Sequence, residues 1–392
     1  MELYVLDSLW RPVQVIDKFQ SLIWTERHRD IGDFELDIQA NLNSRGLLAA
    51  GVYLAMNESY RVMKVETVND TVDTDGRQIL KVTGRSMERI LLNRVARNTT
   101  ADTTVTPKWL LSGPPMTIAR TMFHAICILG QFSTRDIIPG IIETSLFPAD
   151  TIGEPSESIN IEVSPTPLHT AIKALADAYE FGYRFTRDPN VYQMHFDIYT
   201  GSDRTTQQST LPAVVFSPEL DNLQNTSSLT TIYPHKNVAY VISPNGVKVV
   251  YPDAADDTLI TGYDRDVLLV EANDVTETDP GLLDAKLTQL GKQALLQNRQ
   301  FSAFDGEITQ HSNYKYGRDY NLGDLVEVRN KTGTTNQMQV TEQIFVSDSE
   351  GERSYPTLSL NTFILPGTWL AWDYNQVWLD LDSDPQTWAD QP

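Results

Sequence analysis

Hydrophobic and polar residues alternate along much of residues 1–95. The stretch LIWTERHRDIGDFELDI runs from Leu22 to Ile38 and places apolar residues at every second position on both sides of a charged centre. A two-residue period is typical of half-buried strands, so this stretch predicts a hairpin. Further short strands are predicted in the segments ELYVLDSLW, RPVQVID, GVYLAM, YRVMKVETV and RQILKVTGR.

Turn and cap signals separate these strands. Asp75-Gly76 follows one strand segment, and both residue types tolerate the positive φ of a tight hairpin turn. Ser86 precedes MERIL and is read as a helix cap. Closely spaced short strands predict a barrel or sandwich over residues 1–95.

The pattern changes to a helical period between residues 96 and 205. The segment PPMTIARTMFHAICILG predicts a buried helix, with its apolar face at Ile118, Met122, Ala125, Ile126 and Leu129. A second helix is predicted in SPTPLHTAIKALADAYEFG, with Ser164 as its cap and Gly182 after its end. The next segment, YRFTRDPNVYQMHFDIYTG, predicts a hairpin, so this range is an α+β unit.

Strand patterns return over residues 206–365, with one helix predicted in DPGLLDAKLTQLGKQALLQNRQ. The predicted fold class is therefore mainly β with an α+β insertion. Four ranges are predicted: a first strand-rich domain at 1–95, the insertion at 96–205, a second strand-rich domain at 206–365 and an extension at 366–392. No repeat of 20 to 50 residues is present, which excludes a solenoid.

The extension at 366–392 has an unusual composition. Four of the seven tryptophans lie in it, and no Lys or Arg follows Arg353. Aromatic residues are enriched where proteins meet, so we expect this segment to dock on another subunit or partner. The alternative is that it folds back on its own domain. The four tryptophans are Trp369, Trp372, Trp378 and Trp388.

Composition limits the function classes. The net charge of −21 argues against specific binding of DNA or RNA, because an acidic surface repels the phosphate backbone. Cys127 is the only cysteine, which excludes a disulfide framework, and its apolar neighbours indicate a buried structural thiol. No secretion signal and no apolar run of membrane-spanning length occur, so we expect a chain made in the cytoplasm without its own membrane span.

The sequence offers no recognisable catalytic motif. No nucleophile elbow, phosphate-binding loop or zinc-binding H-E-x-x-H is present, and the six histidines are far apart. His28 lies in the charged hairpin centre, but the sequence gives it no nucleophile or metal partner. His124 and His169 lie in helical patterns and are read as hydrogen-bonded residues rather than bases. The acidic strings DTVDTDG and YPDAADDT are read as a hairpin tip and a solvated loop. We therefore expect no catalytic residues, no metal and no cofactor.

An ordered set of segments resembles the siphophage tail-hub family: LWRPVQVIDKFQSLIWTERHRDIGDFELDI, VTGRSMERILLNRV, YEFGYRFTRD with HFDIYTGSDRT, VVFSPELDNLQN and YGRDYNLGDLVEV. These hubs are similar to the myovirus baseplate hub and to the N-terminal part of tail-associated lysins. The resemblance covers about residues 1–365. It implies two tube-like β-barrels per subunit at 1–95 and 206–365, and a homotrimer that forms a pseudo-sixfold ring at the virion tail tip.

The resemblance also implies partners. These are the distal tail protein ring, the C-terminus of the tape-measure protein, and further tip or fibre proteins. DNA would pass non-specifically through the lumen. Relatives often carry a peptidoglycan hydrolase beyond this core; 27 residues after 365 leave no room for one here, so we expect no lysin activity.

The expected assembly contacts lie in three elements. They are the hairpin between Trp24 and Phe34, the turn YGRDYNLGD at 316–324, and the tryptophan-rich extension. Within the hairpin, Gly32 is expected to allow the turn, Trp24 and Phe34 to pack, and four charged residues to be free to pair with a neighbouring subunit. The charged residues are Glu26, Arg27, Arg29 and Asp30, and the turn contributes Tyr316, Arg318, Asp319 and Tyr320.

Two other functions remain open at this stage. One is a cell-wall hydrolase with paired carboxylates, because such pairs are set by space rather than by sequence. The other is a receptor- or carbohydrate-binding tip protein, since the extension has aromatic residues suited to stacking on sugars.

Overall fold

The computed structural model describes residues 1–72, 76–98, 108–156, 158–231, 235–251, 261–273, 275, 278–298, 301–308, 314–331 and 335–360. The chain divides into two compact units. The main unit comprises Met1–Gln224 and the chain from Glu307, and the small unit comprises Asn225–Gly306.

The described strands in chain order are β1 (Leu3–Leu6), β2 (Pro12–Ile16), β3 (Ser21–Arg27), β4 (Asp33–Gln39), β5 (Tyr53–Met56), β6 (Val62–Val72), β7 (Gln78–Ser86), β8 (Val95–Ala96), β9 (Trp109–Gly113), β10 (Ile141–Ile142), β11 (Ile159–Val163), β12 (Thr166–Pro167), β13 (Gly182–Asp188), β14 (Gln193–Tyr199), β15 (Val215–Phe216), β16 (Leu223–Thr231), β17 (Val238–Ser243), β18 (Gly246–Val250), β19 (Val267–Glu271), β20 (Phe301–Ile308), β21 (Leu325–Arg329), β22 (Thr335–Asp348) and β23 (Gly351–Leu360).

The described α-helices are α1 (Leu42–Leu47), α2 (Pro115–Phe123), α3 (Leu168–Tyr179) and α4 (Pro280–Gln297). Short 3-10 helices span Met87–Asn93, Thr134–Asp136, Pro218–Leu220 and Gly262–Asp264, and a π-helical turn at His124–Ile128 continues α2. None of the helices in the described ranges is long and apolar enough to cross a membrane.

An 11-stranded sheet organises the main unit. Its order is β15-β21-β22-β3-β4-β7-β6-β5-β1-β2, and β23 pairs with β22 outside this path. Strands β3 and β4 form the predicted hairpin, with Trp24 opposite Phe34. On its other side β3 pairs antiparallel with β22, where Phe345 lies opposite Trp24. The mainly β class is therefore confirmed, and strands from the predicted ranges 1–95 and 206–365 share one sheet.

The buried face of this sheet follows the predicted alternation. Leu22, Trp24 and Leu36 are completely buried, and Phe34 is 3% exposed. Their side chains pack in one core cluster with Leu3, Met63 and Val82 from neighbouring strands. At the end of β4, Asn41 caps α1, because its side chain accepts from Ser44 N at 2.9 Å and Ser44 Oγ accepts from Asn41 N at 2.9 Å.

A second core joins α2 and α3 to the hairpin β13–β14. Phe123 of α2 stacks on Phe196 of β14 with ring centroids 3.6 Å apart. Cys127 is fully buried there, as predicted, and burial raises the pKa of its thiol to about 12. Two details of the predicted helices were wrong: Leu129 is 49% exposed, and α3 has no side-chain cap, because it begins after Pro167 instead of near Ser164.

The small unit combines a three-stranded sheet with one helix. Strand β17 lies between β18, with which it pairs antiparallel, and β19, with which it pairs parallel. Helix α4, predicted from the sequence, covers one face of this sheet. The core between them includes Ala239, Val241 and Val250 from the strands and Leu287 and Leu295 from the helix. In addition, β16 and β20 pair in a two-stranded sheet.

The compact units have different bounds from the four predicted ranges. The small unit lies inside the range 206–365, whereas β21 to β23 of that range belong to the main unit. The division into two barrels, an insertion and an extension stays a prediction.

Candidate functional site around the Leu22–Ile38 hairpin

The hairpin turn is closed by hydrogen bonds within the main unit. Gly32 N donates to Ser86 Oγ at 2.8 Å, so Ser86 supports this turn and does not cap the following helix, contrary to the expectation. A Cβ on Gly32 would lie 2.4 Å from Thr25 O. Glycine is therefore required here by the close approach of two backbone segments. Trp24 and Phe34 pack as expected, with ring centroids 6.0 Å apart.

Glu26 joins the hairpin to the 316–324 turn. It is 2% exposed, and its carboxylate accepts from Trp24 Nε1 at 3.2 Å, from Tyr316 OH at 3.0 Å and from Ser59 Oγ. Burial and the Glu26 charge raise the pKa of Tyr316 well above its ordinary value, so the hydroxyl stays protonated and donates. Charge-assisted hydrogen bonds of this kind hold distant segments together.

The aromatic residues of the turn pack against the sheet. The Tyr316 ring lies 5.7 Å from Phe345 and 5.8 Å from Tyr320. Tyr320 is 2% exposed and donates to Gln343 Oε1 of β22 at 3.0 Å. Two of the three elements predicted as assembly contacts therefore meet each other inside one chain.

Arg27 is engaged within its own chain. Its guanidinium donates to Glu342 Oε1 at 2.7 Å, to Asp33 Oδ2 at 2.8 Å and to Ile31 O at 2.7 Å. Arg29 donates to Gln339 Oε1 of β22. Arg27 therefore closes the hairpin turn and also binds β22, whereas Arg29 binds β22.

Asp30 faces α3. Its carboxylate lies 3.4 Å from His169 Nε2 and 3.2 Å from Lys173 Nζ, and it accepts from Ile31 N at 2.7 Å. Burial opposes ionisation of Asp30, but the hydrogen bonds with His169 and Ile31 and the Lys173 charge outweigh it and hold the pKa below its ordinary value. All four charged residues, Glu26, Arg27, Arg29 and Asp30, thus have partners within their own chain, so the expectation that they are free was wrong, while their role as assembly contacts stays a prediction.

Other predicted contact residues differ in exposure. Arg318 and Asp319 form an ion pair with each other at 2.5 Å, and the Arg318 side chain is 62% exposed. Asp319 also accepts from Lys315 N at 2.8 Å. Trp369, Trp372, Trp378 and Trp388 lie outside the described residues. Arg318 is thus the most accessible charged group of the 316–324 turn, and its role as an assembly contact stays a prediction.

His28 is fully buried and joins three segments. Its ring lies 4.9 Å from the Tyr199 ring, and a Cβ on Gly182 or Gly323 would come within 2.3 Å or 2.6 Å of it. His28 N donates to Thr341 O at 2.8 Å, and His28 O accepts from Tyr183 N at 3.2 Å. Burial, and then the nearby charges of Arg29, Arg184 and Arg61, lower the His28 pKa well below its ordinary value. A histidine that stays neutral and enclosed serves packing rather than proton transfer.

A buried polar cluster lies beside Glu26. Arg61 and Glu88 form an ion pair whose side chains are 6% and 1% exposed, and Glu88 Oε1 also accepts from Phe185 N at 2.8 Å. Arg184 pairs with Asp197 at 2.8 Å. The adjoining cavity of about 30 Å³ has room for one or two water molecules. It is far smaller than the ~300–1,000 Å³ of typical ligand pockets.

A cleft of about 350 Å³ lies between α2 and β14. At its wall, His124 Nδ1 lies 2.6 Å from Glu143 Oε2, and Arg120 donates to Glu154 at 2.7 Å. Thr121 Oγ1 donates to Thr117 O at 2.8 Å, so its hydroxyl hydrogen is already engaged. No group of three metal-ligating side chains occurs among the described residues. The cleft offers a histidine–carboxylate pair without an activated nucleophile beside it.

Solved structures with a similar fold include two tail proteins. The 43 kDa tail protein of prophage MuSo2 from Shewanella oneidensis is 15% identical, with a TM-score of 0.52 over 92% of this chain and 98% of that one. A tail protein from Neisseria meningitidis MC58 is 11% identical, with a TM-score of 0.54 over 92% and 96%. At these identities the likeness concerns the fold.

The family follows from the sequence itself. The family model described as Siphovirus ReqiPepy6 Gp37-like protein matches residues 2–358, and the chain belongs to this family of siphovirus tail proteins. A comparison with curated proteins gives no match. The resemblance to siphophage tail proteins is confirmed.

Sequence reasoning missed several residues that organise the site. Ser59, Arg61, Glu88 and Arg184 carried no motif, and their pairing depends on distant segments meeting. The sequence shows glycines at 182 and 323 but gives no reason for them. The structure places the His28 ring against both, which explains why glycine is required there.

Proposed function

We propose that this chain is a structural component of the virion tail, a tail-tip or baseplate hub that assembles as a homotrimer. Three subunits with two tube-like barrel domains each would give a pseudo-sixfold ring. This ring would adapt the sixfold distal tail ring above to a threefold tip below, and would anchor tip or fibre proteins during host attachment and DNA ejection. The tape-measure protein would end in its lumen.

The observation that supports this role most is family membership over residues 2–358. The geometry around the Leu22–Ile38 hairpin agrees with it, because the polar residues there lie between segments of one chain. Glu26, His28 and Glu88 are each no more than 2% exposed. Groups so enclosed stabilise the fold of the subunit and are not accessible to a substrate.

The acidic composition gives the proposed ring a further use. With a net charge of −21, a lumen lined by carboxylates would keep passing DNA from adhering, because like charges repel within about a Debye length. A ring with a neutral or basic lumen would contradict this part of the proposal.

We propose no catalytic activity, and two assays separate the rival functions. Purified chain is incubated with host peptidoglycan, and the proposal predicts no turnover. Turnover abolished by Glu143→Gln, which removes the carboxylate paired with His124 in the cleft between α2 and β14, would establish the hydrolase alternative instead. Binding to host cells that is lost on deleting residues 366–392 would establish the receptor-binding alternative.

The direct test of the proposed assembly is the mass of the purified chain in solution. Light scattering after size exclusion is expected to give three times the 44.2 kDa mass of one chain. A monomer at every accessible concentration would contradict the hub proposal.

A further inference from the structure

Three arginines without a carboxylate partner lie on the surface of the main unit. Arg94 and Arg97 flank the short strand β8, and Arg135 lies in the 3-10 turn that follows α2. None of the three guanidinium groups forms an ion pair with a described residue. Most other described arginines do form one, as Arg61 and Arg120 do.

Two contacts bring these arginines together. Arg94 Nε donates to Asp136 O at 2.9 Å, and the Arg97 guanidinium lies 4.0 Å from the centre of the Phe132 ring. Residues 94–97 therefore lie beside residues 132–136, which include Arg135. The surface that they form is called the arginine patch, and it consists of Arg94, Val95, Arg97, Phe132 and Arg135.

The arginine patch is accessible and combines positive charge with apolar side chains. Val95 is 52% exposed, Phe132 is 46% exposed, and Arg135 is exposed. Asp136 supplies the single carboxylate of residues 94–97 and 132–136, against three guanidinium groups. A positive and partly apolar surface on a chain with a net charge of −21 favours an acidic partner that also carries apolar side chains.

The chain itself contains a segment of this composition. The extension at 366–392 has five aspartates and four tryptophans, and it has no Lys or Arg. Three of these carboxylates, at Asp380, Asp382 and Asp384, fall in the stretch WLDLDSD that begins at Trp378. In an extended chain alternate residues point to the same side, so these carboxylates can face the guanidinium groups together. Arginine binds carboxylates by charge-assisted hydrogen bonds and also stacks on aromatic rings, so the stretch matches both properties of the patch.

The length of the chain allows this contact within one subunit. The arginine patch and β23 belong to the same compact unit, β23 ends at Leu360, and Trp378 follows 18 residues later. An extended chain of that length spans about 60 Å, whereas a compact unit of roughly 300 residues is about 50 Å across. A segment tethered in this way has an effective concentration in the millimolar range, which favours the patch of its own chain over that of another copy.

From these observations we infer that residues 378–384 dock on the arginine patch of their own chain. The aspartates pair with Arg97 and Arg135, and Trp378 packs against Phe132. The inference goes beyond the proposed function and does not depend on it. It selects the alternative in which the extension folds back on its own domain, and it names the surface that receives the extension.

Photo-crosslinking of the full-length chain tests the contact. Phe132 is replaced by the photoreactive residue p-benzoylphenylalanine, and the control is the same replacement of Leu42, which is 89% exposed in α1. After irradiation, a denaturing gel separates single chains from linked pairs, and mass spectrometry identifies the linked peptides. We expect position 132 to link to residues 366–392 within a single chain of 44.2 kDa, and position 42 to give no such link.

Charge reversal in the chain labelled at Phe132 tests the cause of the contact. Arg97→Glu together with Arg135→Glu is expected to lower the crosslink yield about tenfold, because two attractive charges become repulsive. The matched control is Lys18→Glu together with Lys331→Glu, which changes the net charge equally at two exposed cations outside the patch. The control should leave the yield unchanged, and far-UV circular dichroism verifies that each variant is folded.

Charge exchange separates a direct contact from a general effect of the reversal. Asp380→Arg and Asp382→Arg, added to the patch variant, place opposite charges against each other again. We expect the crosslink yield to recover toward that of the chain labelled at position 132 alone. A yield that stays low in this exchanged variant would overturn the proposed pairing.

Two further outcomes would overturn the inference. One is a link from position 132 to the extension of another chain, which appears at twice 44.2 kDa. The other is the absence of any link to residues 366–392, or a link whose yield charge reversal does not change. These outcomes leave the hub proposal standing, because the mass in solution tests it separately.

Discussion

Tyr316 donates its hydroxyl hydrogen to Glu26 Oε2 at 3.0 Å across 290 residues of sequence. This bond joins the N-terminal hairpin to the turn before β21, and both segments contact β22. Because one partner is a nearly buried carboxylate, the bond is expected to contribute more than a bond between neutral groups. The Tyr316–Glu26 pair thus belongs to the framework that closes the main unit.

We predict that Tyr316→Phe lowers the free energy of unfolding by about 1.5–3 kcal/mol, because it removes the donor and leaves Glu26 with one fewer partner. Urea denaturation of the full-length chain measures the change. Tyr263→Phe is the matched control, since Tyr263 is fully exposed, and it should leave stability within about 0.5 kcal/mol of wild type. Equal losses of stability in the two variants would show that the Tyr316–Glu26 hydrogen bond does not stabilise the fold.

We predict that Gly182→Ala is destabilising by about 1–3 kcal/mol, the range for overpacking a core. The new Cβ would lie 2.3 Å from the His28 ring and 2.7 Å from His28 O. Gly46→Ala in α1 has open space around its Cβ and should instead stabilise by about 0.5–1 kcal/mol. The double variant Gly182→Ala with His28→Ala should show less than the sum of the single effects. Strict additivity of the two changes would contradict the contact.

Stability should depend on pH through His28. Its folded pKa lies well below its ordinary value of about 6.5, so folding favours the neutral ring. The stabilising contribution is complete above pH 6.5 and is lost as pH falls below that value, because the unfolded chain then takes up a proton that the folded chain excludes. Each group can change stability by up to about 1.4 kcal/mol per pH unit.

The difference in stability between wild type and His28→Gln isolates this contribution. Burial raises the pKa of Asp324 to about 6, so its contribution to stability changes in the opposite direction and increases as pH falls from 6 toward its unfolded pKa. Asp324 is present in both chains, so this contribution cancels in the difference. We predict that the free energy of unfolding of wild type, relative to that of His28→Gln, falls between pH 7 and pH 5. Denaturation curves at both pH values measure it, and a difference that does not change with pH would show that His28 titrates normally.

Charge reversal should distinguish framework arginines from an exposed one. Arg27→Glu places a third carboxylate against Glu342 and Asp33, so we predict a loss of about 1–3 kcal/mol of stability. Arg318→Glu alters a largely exposed pair and should change stability by less than about 1 kcal/mol.

If the 316–324 turn is an assembly contact, Arg318→Glu weakens oligomerisation while the subunit stays folded. Sedimentation at several concentrations measures the association. Oligomerisation equal to that of wild type would remove Arg318 from the predicted contacts.

The sequence predicted strands and helices well where apolar residues followed either the two-residue period of a strand or the period of a helix. The hairpins β3–β4 and β13–β14 and the helix α4 follow directly from alternation, turn residues and helical spacing. Gly76, with φ of +78°, also adopts the left-handed turn conformation that the sequence suggested. These features depend on neighbouring residues alone, which is why sequence is sufficient for them.

Features that depend on distant segments could not be predicted. The pairing of β22 with β3, the partners of Arg27 and Arg29, and the support of Gly32 by Ser86 all join residues far apart in sequence. The face of the small-unit sheet that α4 covers could not be predicted for another reason. In the run VLLVE of β19, apolar residues occupy both faces, so alternation does not say which one a helix covers.

The most direct measurement of the central claim is a reconstruction of the virion tail end by electron cryomicroscopy, calculated without imposed symmetry, with this chain located by an added tag. The account predicts three copies at the tip, arranged around a threefold axis below a sixfold ring. Copies repeated along the tail shaft, or a number at the tip other than three, would contradict it.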